Sequence, residues 1–189
     1  SIIGMEKNVG KTTLLNKLIA DIGTNKKLGL TSIGRDGEDI DVVTNTDKPR
    51  IYVRRGSIIA TGRNCLAKCD ITKEILYVTD FTTPMGSIVI VRALSDGYVD
   101  IAGPSYNKQV KIVVELMEKF GSEISIVDGA LGRKSTAISD VSEATILSTG
   151  AALSLDMLKV VEETTTEVYF LKLYKAEKKI KERVQELRY

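Results

Sequence analysis

The chain has no histidine and no tryptophan, and only two cysteines, three prolines and three phenylalanines. Without imidazole, no histidine general base and no histidine metal ligand is available to any mechanism. The cysteines, Cys65 and Cys69, stand in Asn-Cys-Leu-Ala-Lys-Cys-Asp. Two thiols with no further Cys or His make a poor structural zinc site. Helical i, i+4 spacing also suits a disulfide badly, so reduced thiols are expected. Excess charge is lacking too: 27 basic residues against 25 acidic ones leave +2, which provides no basic field for nucleic acid. No apolar run is long enough to cross a bilayer, and the first residues do not read as a secretory leader. A cytoplasmic protein without a membrane or nucleic-acid partner is therefore expected. Because the chain opens in mid-strand without Met, a few residues upstream of Ser1 are expected. At 189 residues the chain fits one large domain, 1–189, able to bury a substantial core.

What is present starts with Gly4–Thr13, Gly-Met-Glu-Lys-Asn-Val-Gly-Lys-Thr-Thr, directly after the apolar Ile2-Ile3. Leu14, Leu15, Leu18, Ile19 and Ile22 follow with the spacing of a helix that buries one face, and Gly23 is its stop. A strand, a glycine loop, Lys-Thr and a helix make a phosphate cradle, because loop amides and the positive helix end converge on one anion. Gly4, Lys7, Asn8, Val9, Gly10, Lys11, Thr12 and Thr13 are the expected nucleotide-binding residues. Lys11 would face the β- and γ-phosphates, and Thr12 would place a hydroxyl on Mg²⁺. Met5 stands where the common pattern has its first glycine, leaving five residues between Gly4 and Gly10. Lys7 is a second cation in the loop, with a weaker expected role.

Downstream, Leu28–Ile33 reads as a buried strand running into Gly34-Arg35-Asp36-Gly37-Glu38-Asp39. Ligands of open α/β sheets sit at such carboxyl ends. Asp36 and Glu38 are expected to hold Mg²⁺ directly or through water, with Arg35 free to pair with a phosphate or a partner's carboxylate. From 48 to 104 the pattern becomes β-rich, an insertion or sheet extension. Arg50–Val53 and Ser57–Ala60 around Arg54-Arg55-Gly56 suggest a hairpin. Glu74–Asp80, Gly86–Arg92 and Tyr98–Ala102 follow too closely for crossover helices, so antiparallel pairing is expected. Asn64–Asp70 reads as a short helix. Arg50, Arg54, Arg55 and Arg63 are partner or phosphate contacts, or, as is commoner, scattered surface arginines.

Tyr106–Phe120 has helical spacing in Val110, Val113, Val114 and Met117. Glu123–Val127 is an apolar strand ending in Asp128, where a second Mg²⁺ contact belongs; Arg133 in the same loop could meet phosphate charge. Ala144–Ser148 is a further buried strand, with the small-residue loop Thr149–Ala152 leaving room for a base. Ser154–Glu163 reads as a helix and Thr165–Leu171, rich in β-branched and aromatic residues, as a last strand. From Lys172 onward, Leu173, Ala176, Ile180, Val184 and Leu187 form the seam of an amphipathic helix, packed on its own sheet or used for a homodimer or partner. The expected fold is thus α/β, a three-layer, mostly parallel sheet flanked by helices, with an antiparallel β-rich addition and a C-terminal amphipathic helix.

The loop spacing, Ile126–Leu131 and Ala144–Ala152 together resemble the phosphate-loop NTPases of the dethiobiotin synthetase and molybdopterin-guanine dinucleotide accessory branch. More narrowly, Leu30–Glu38, Lys48–Val53 and Asp128–Ser135 are similar to the small subunit of the reactivase of adenosylcobalamin-dependent lysine aminomutase. That resemblance implies an ATP- and Mg²⁺-dependent partner of an aminomutase, working beside a second ATPase subunit. The expected function is an ATPase in which Lys11, Asp36 and Asp128 carry the chemistry and Thr12, Asp36, Glu38 and Asp128 hold the metal. With no evident general base, hydrolysis would be slow and partner-activated. A dethiobiotin synthetase-like ligase or kinase on a small acid and a non-enzymatic assembly protein are the alternatives. Absence of an Asn-Lys-x-Asp pattern mildly favours ATP over GTP.

Overall fold

The structure is a computed structural model, and it describes residues 1–34, 50–129 and 142–172. Arg35, Asp36, Glu38, Arg133 and the C-terminal seam from Leu173 lie outside the described residues.

The elements run β1 (Ile2–Gly4), α1 (Lys11–Ile22), β2 (Leu28–Ser32), β3 (Ile51–Val53), β4 (Ile58–Gly62), β5 (Lys73–Thr83), β6 (Gly86–Ala93), β7 (Gly97–Val99), α2 (Asn107–Lys119), β8 (Ile124–Asp128), β9 (Ile146–Ser148) and α3 (Met157–Leu171). A 3-10 helix at Arg63–Lys68 stands where a short helix was expected. Seven strands form one sheet in the order β5-β6-β4-β2-β8-β1-β9. The run β4-β2-β8-β1-β9 is parallel, and β6 and β5 extend it antiparallel. The protein is therefore α/β with a mostly parallel sheet, and β3 with β7 makes a separate antiparallel ribbon.

Alternation along the central strands explains this layering. Ile59 of β4 and Val89 and Val91 of β6 point into a core shared with Leu15 and Ile19 of α1 and with Val53 and Val99 of the ribbon. Their neighbours Ile58, Ala60, Ile88 and Ile90 point the other way, against Val113 and Met117 of α2. Strands buried on both faces need cover on both, which α1 with the ribbon and α2 supply.

Two expectations are corrected. Arg50–Val53 and Ser57–Ala60 do not form a hairpin. The turn between them closes (Ser57 N–H to Arg54 O, 3.1 Å) with Gly56 at φ 91°, yet β3 joins the ribbon while β4 enters the sheet beside β2. The later strands of the β-rich stretch pair antiparallel as expected, β5 with β6 and β7 with β3, while the fully buried β4 joins the stretch to the core by pairing in parallel with β2. Thr165–Leu171 is helical, the second half of α3. That helix starts at Asp156, whose side chain accepts the Leu158 N–H at 2.9 Å, and Thr166 bonds back to Glu162 O at 2.9 Å. Among the described residues no strand pairs with this segment, so the strand preference of its β-branched side chains does not operate. Gly23 ends α1 as expected but in right-handed backbone; it is glycine because a Cβ would lie 2.5 Å from Ile19 O.

Asn16 of α1 fixes the ribbon to the first layer. Its side-chain amide donates to Arg50 O (3.1 Å) and its Oδ1 accepts Tyr52 N–H (3.1 Å), satisfying the β3 edge. Arg50, a surface-contact candidate, is engaged within the fold: it pairs with Asp70 at 2.6 Å, donates to Lys68 O and lies 5.4 Å from the centre of the Tyr98 ring. The cysteines are both free thiols, and Cys69 Sγ donates to Cys65 O. Among the described residues no helix is long and apolar enough to cross a membrane.

After β7 the chain crosses the carboxyl ends of β4 and β2 as a buried strap, Ile101–Pro104. Thr61 Oγ1 accepts Ala102 N–H (2.9 Å), Ser32 Oγ accepts Gly103 N–H (2.9 Å), and Gly34 N–H reaches Pro104 O (3.0 Å). A Cβ at Gly103 would sit 1.7 Å from Ser32 O. Gly103→Ala is therefore expected to lower unfolding stability by about 3 kcal/mol through overpacking; a wild-type urea midpoint would contradict the strap's role.

Candidate functional site

The carboxyl ends of β1, β8, β2 and β9 meet at one edge of the sheet. From β1 the chain moves to β2, two positions to one side, whereas from β8 it crosses to β9 on the other. The loop after β1 thus leaves from a topological switch point, the place where open α/β sheets bind ligands. It is pinned at its start by Met5 N–H to Ser148 O at 2.9 Å.

Within the loop Asn8 (φ 60°) and Gly10 (φ 85°) both adopt left-handed backbone. Glycine does so freely and asparagine is among the few other residues that tolerate it. Left-handed residues interspersed in a loop produce the concave amide nests that bind anions. Gly10 is also the N-cap of α1. It offers no capping side chain, and the first turn carries no acidic residue. The leading N–H groups of α1 and its positive end are consequently left for another anion.

Lys11 opens α1, and its chain folds back over β1. Nζ donates to Glu6 O at 2.8 Å. A Cβ on Gly4 would fall 2.7 Å from that Nζ, 2.8 Å from Lys11 Cδ and 2.7 Å from Val9 Cγ2. This is the physical reason for glycine at position 4: the lysine stem and Val9 occupy the space. Burial pushes the Lys11 pKa below its ordinary 10.5, opposed by the charges of Asp128 and then Glu6. Asp128 ends β8 between β2 and β1, in register with Ser32 and Ile2. Its peptide is clamped on both sides, Ile33 N–H to Asp128 O at 2.8 Å and Gly129 N–H to Ile2 O at 2.9 Å. Its Oδ1 is shielded from solvent.

Of the residues expected from sequence, the structure brings Gly4, Lys7, Asn8, Val9, Gly10, Lys11, Thr12 and Thr13 into one loop and helix start, with Asp128 on the adjacent strand. Lys7, Asn8 and Thr13 are exposed, while Val9, Lys11 and Thr12 are half-buried. Asp36 and Glu38 lie outside the described residues. Glu6 was not foreseen as a participant, although its Oε1 accepts Lys7 N–H at 2.8 Å. As the one acid in the loop, it carried a visible signal.

Among the described residues no group of three or more Cys, Asp or Glu side chains could hold a metal. Among the described residues, the Thr12 hydroxyl and the Asp128 carboxylate are the oxygen donors expected to face a metal here. Mg²⁺ is commonly held by one or two protein oxygens, with phosphate oxygens and water completing its shell, so this donor set fits it.

Because the folded Lys11 loses its proton at lower pH than the unfolded one, the unfolded chain binds more protons between the two pKa values. The cost of the buried ammonium is therefore full below the folded pKa and is relieved as pH rises toward 10.5. Lys11→Met, which keeps the apolar stem, should melt at or above the wild-type temperature at pH 7, with the gap closing at alkaline pH. A melting temperature several degrees lower would show that the cation stabilises the fold.

Comparison with protein-family models, curated proteins and solved structures gave no match to this chain.

Proposed function

We propose that the chain is a phosphate-loop protein that binds a nucleoside triphosphate with Mg²⁺, and that it acts as an ATPase subunit remodelling a partner enzyme. The observation that carries this reading is the loop after β1. It has left-handed residues at Asn8 and Gly10, leads into an uncapped helix start, and has Lys11 folded over Gly4 toward Asp128. In this reading the loop amides and the α1 terminus bind the triphosphate. Lys11, already partly desolvated, exchanges Glu6 O for a phosphate oxygen, and its charge stabilises the negative charge that develops during phosphoryl transfer. Thr12 and Asp128 are the groups that would hold Mg²⁺, which supplies further charge neutralisation when bound. Asp36 and Glu38 would complete or position that shell.

The sequence resemblance supports an adenosylcobalamin-dependent aminomutase as the partner, with a second ATPase subunit. The lack of any histidine supports slow, partner-dependent turnover, because no imidazole can activate the attacking water.

Calorimetric titration of the chain with Mg-ATP tests the reading. Lys11→Ala should abolish measurable binding while the circular-dichroism melt stays cooperative. Unchanged ATP affinity in that variant would remove the site.

A further inference from the structure

One residue of the loop occupies two of the donors that an anion would use. The Glu6 carboxylate holds Lys7 N–H through Oε1 at 2.8 Å, and the Glu6 carbonyl holds Lys11 Nζ at 2.8 Å. Glu6 is the only acid in Gly4–Thr13, and the first turn of α1 adds none. Its charge is within electrostatic reach of Lys11. The side chain is exposed, so it can leave the amide by rotating about its own single bonds, without a backbone change.

We propose that Glu6 is an internal competitor for the donors of the phosphate loop, and that it makes the site select the magnesium complex of a nucleotide over the free polyphosphate anion. This rests on the nucleotide-binding reading above. An incoming polyanion must displace the carboxylate from Lys7 N–H and then tolerate it as a like charge alongside. Free ATP meets that repulsion in full. Mg²⁺ bound across the phosphates cancels part of the ligand's charge, so the complex meets less of it. Glu6 thereby penalises the wrong ligand form more than the right one, which is how an unfavourable contact creates specificity.

Calorimetry on the full chain separates the outcomes, with wild type, Glu6→Gln and Glu6→Ala each titrated with Mg-ATP and with ATP in EDTA. Glu6→Gln keeps an acceptor for Lys7 N–H and loses only the charge. It should tighten Mg-free ATP by about fivefold, the scale of one exposed charge pair, and Mg-ATP by less than about twofold. Glu6→Ala should move both in the same direction, and added salt should shrink the difference. Equal changes for the two ligands, or none, would overturn the proposal. Weaker Mg-ATP binding in Glu6→Gln would overturn it differently, by making Glu6 a contact of the metal. A folded wild type that binds neither form would instead defeat the nucleotide reading itself.

Discussion

A lysine ammonium taken partly out of water is the constraint on which the edge of this sheet depends. A cation loses solvation when buried, and the loss is tolerable only where acceptors and opposite charge replace water. Lys11 gains them from different elements: the Glu6 carbonyl in the loop and the Asp128 charge at the end of β8. It also needs the space that a side chain at Gly4 would take. These requirements hold together only if β1 and β8 are parallel neighbours with the end of β8 beside the start of β1, as the Ile2 to Asp128 register makes them. Strand order and the conformation of one side chain are thus two aspects of the same arrangement.

The remainder of the fold fixes that edge in place. Strands apolar on both faces call for cover on both, so α1 with the β3–β7 ribbon lies on one side and α2 on the other. Asn16 ties α1 to the ribbon by meeting the β3 edge with both ends of its amide. Beyond the ends of β4 and β2, the Ile101–Pro104 strap is bonded to Thr61, Ser32 and Gly34. An edge bonded in this way would suit the proposed site, because donors held in place before a ligand arrives need little reorganisation.

Much of this could be read from the sequence, for local reasons. Gly4–Thr13 is legible because each special residue answers a neighbour a few positions away, and Asp128 because it breaks an apolar run. The strands were visible from their apolar content. Their partners were not, since partnering is decided by which faces of distant segments are left uncovered; β3 and β4 look like a hairpin until the double burial of β4 is known. The threonines of α3 mislead because strand preference depends on a sheet to pack against. Gly103 is invisible for the same reason, as its requirement comes from Ser32 O, 71 residues earlier in the chain. Glu6 could have been noticed, but an acid in a loop carries no signal of which amide it will hold.

The most direct test is an amide NMR titration of the full chain with Mg-ATP. The expected result is saturable shifts concentrated at Met5–Thr13 and Asp128, with the largest at Asn8–Thr12. Shifts absent at saturating ligand, or confined to the ribbon or α3, would contradict the account.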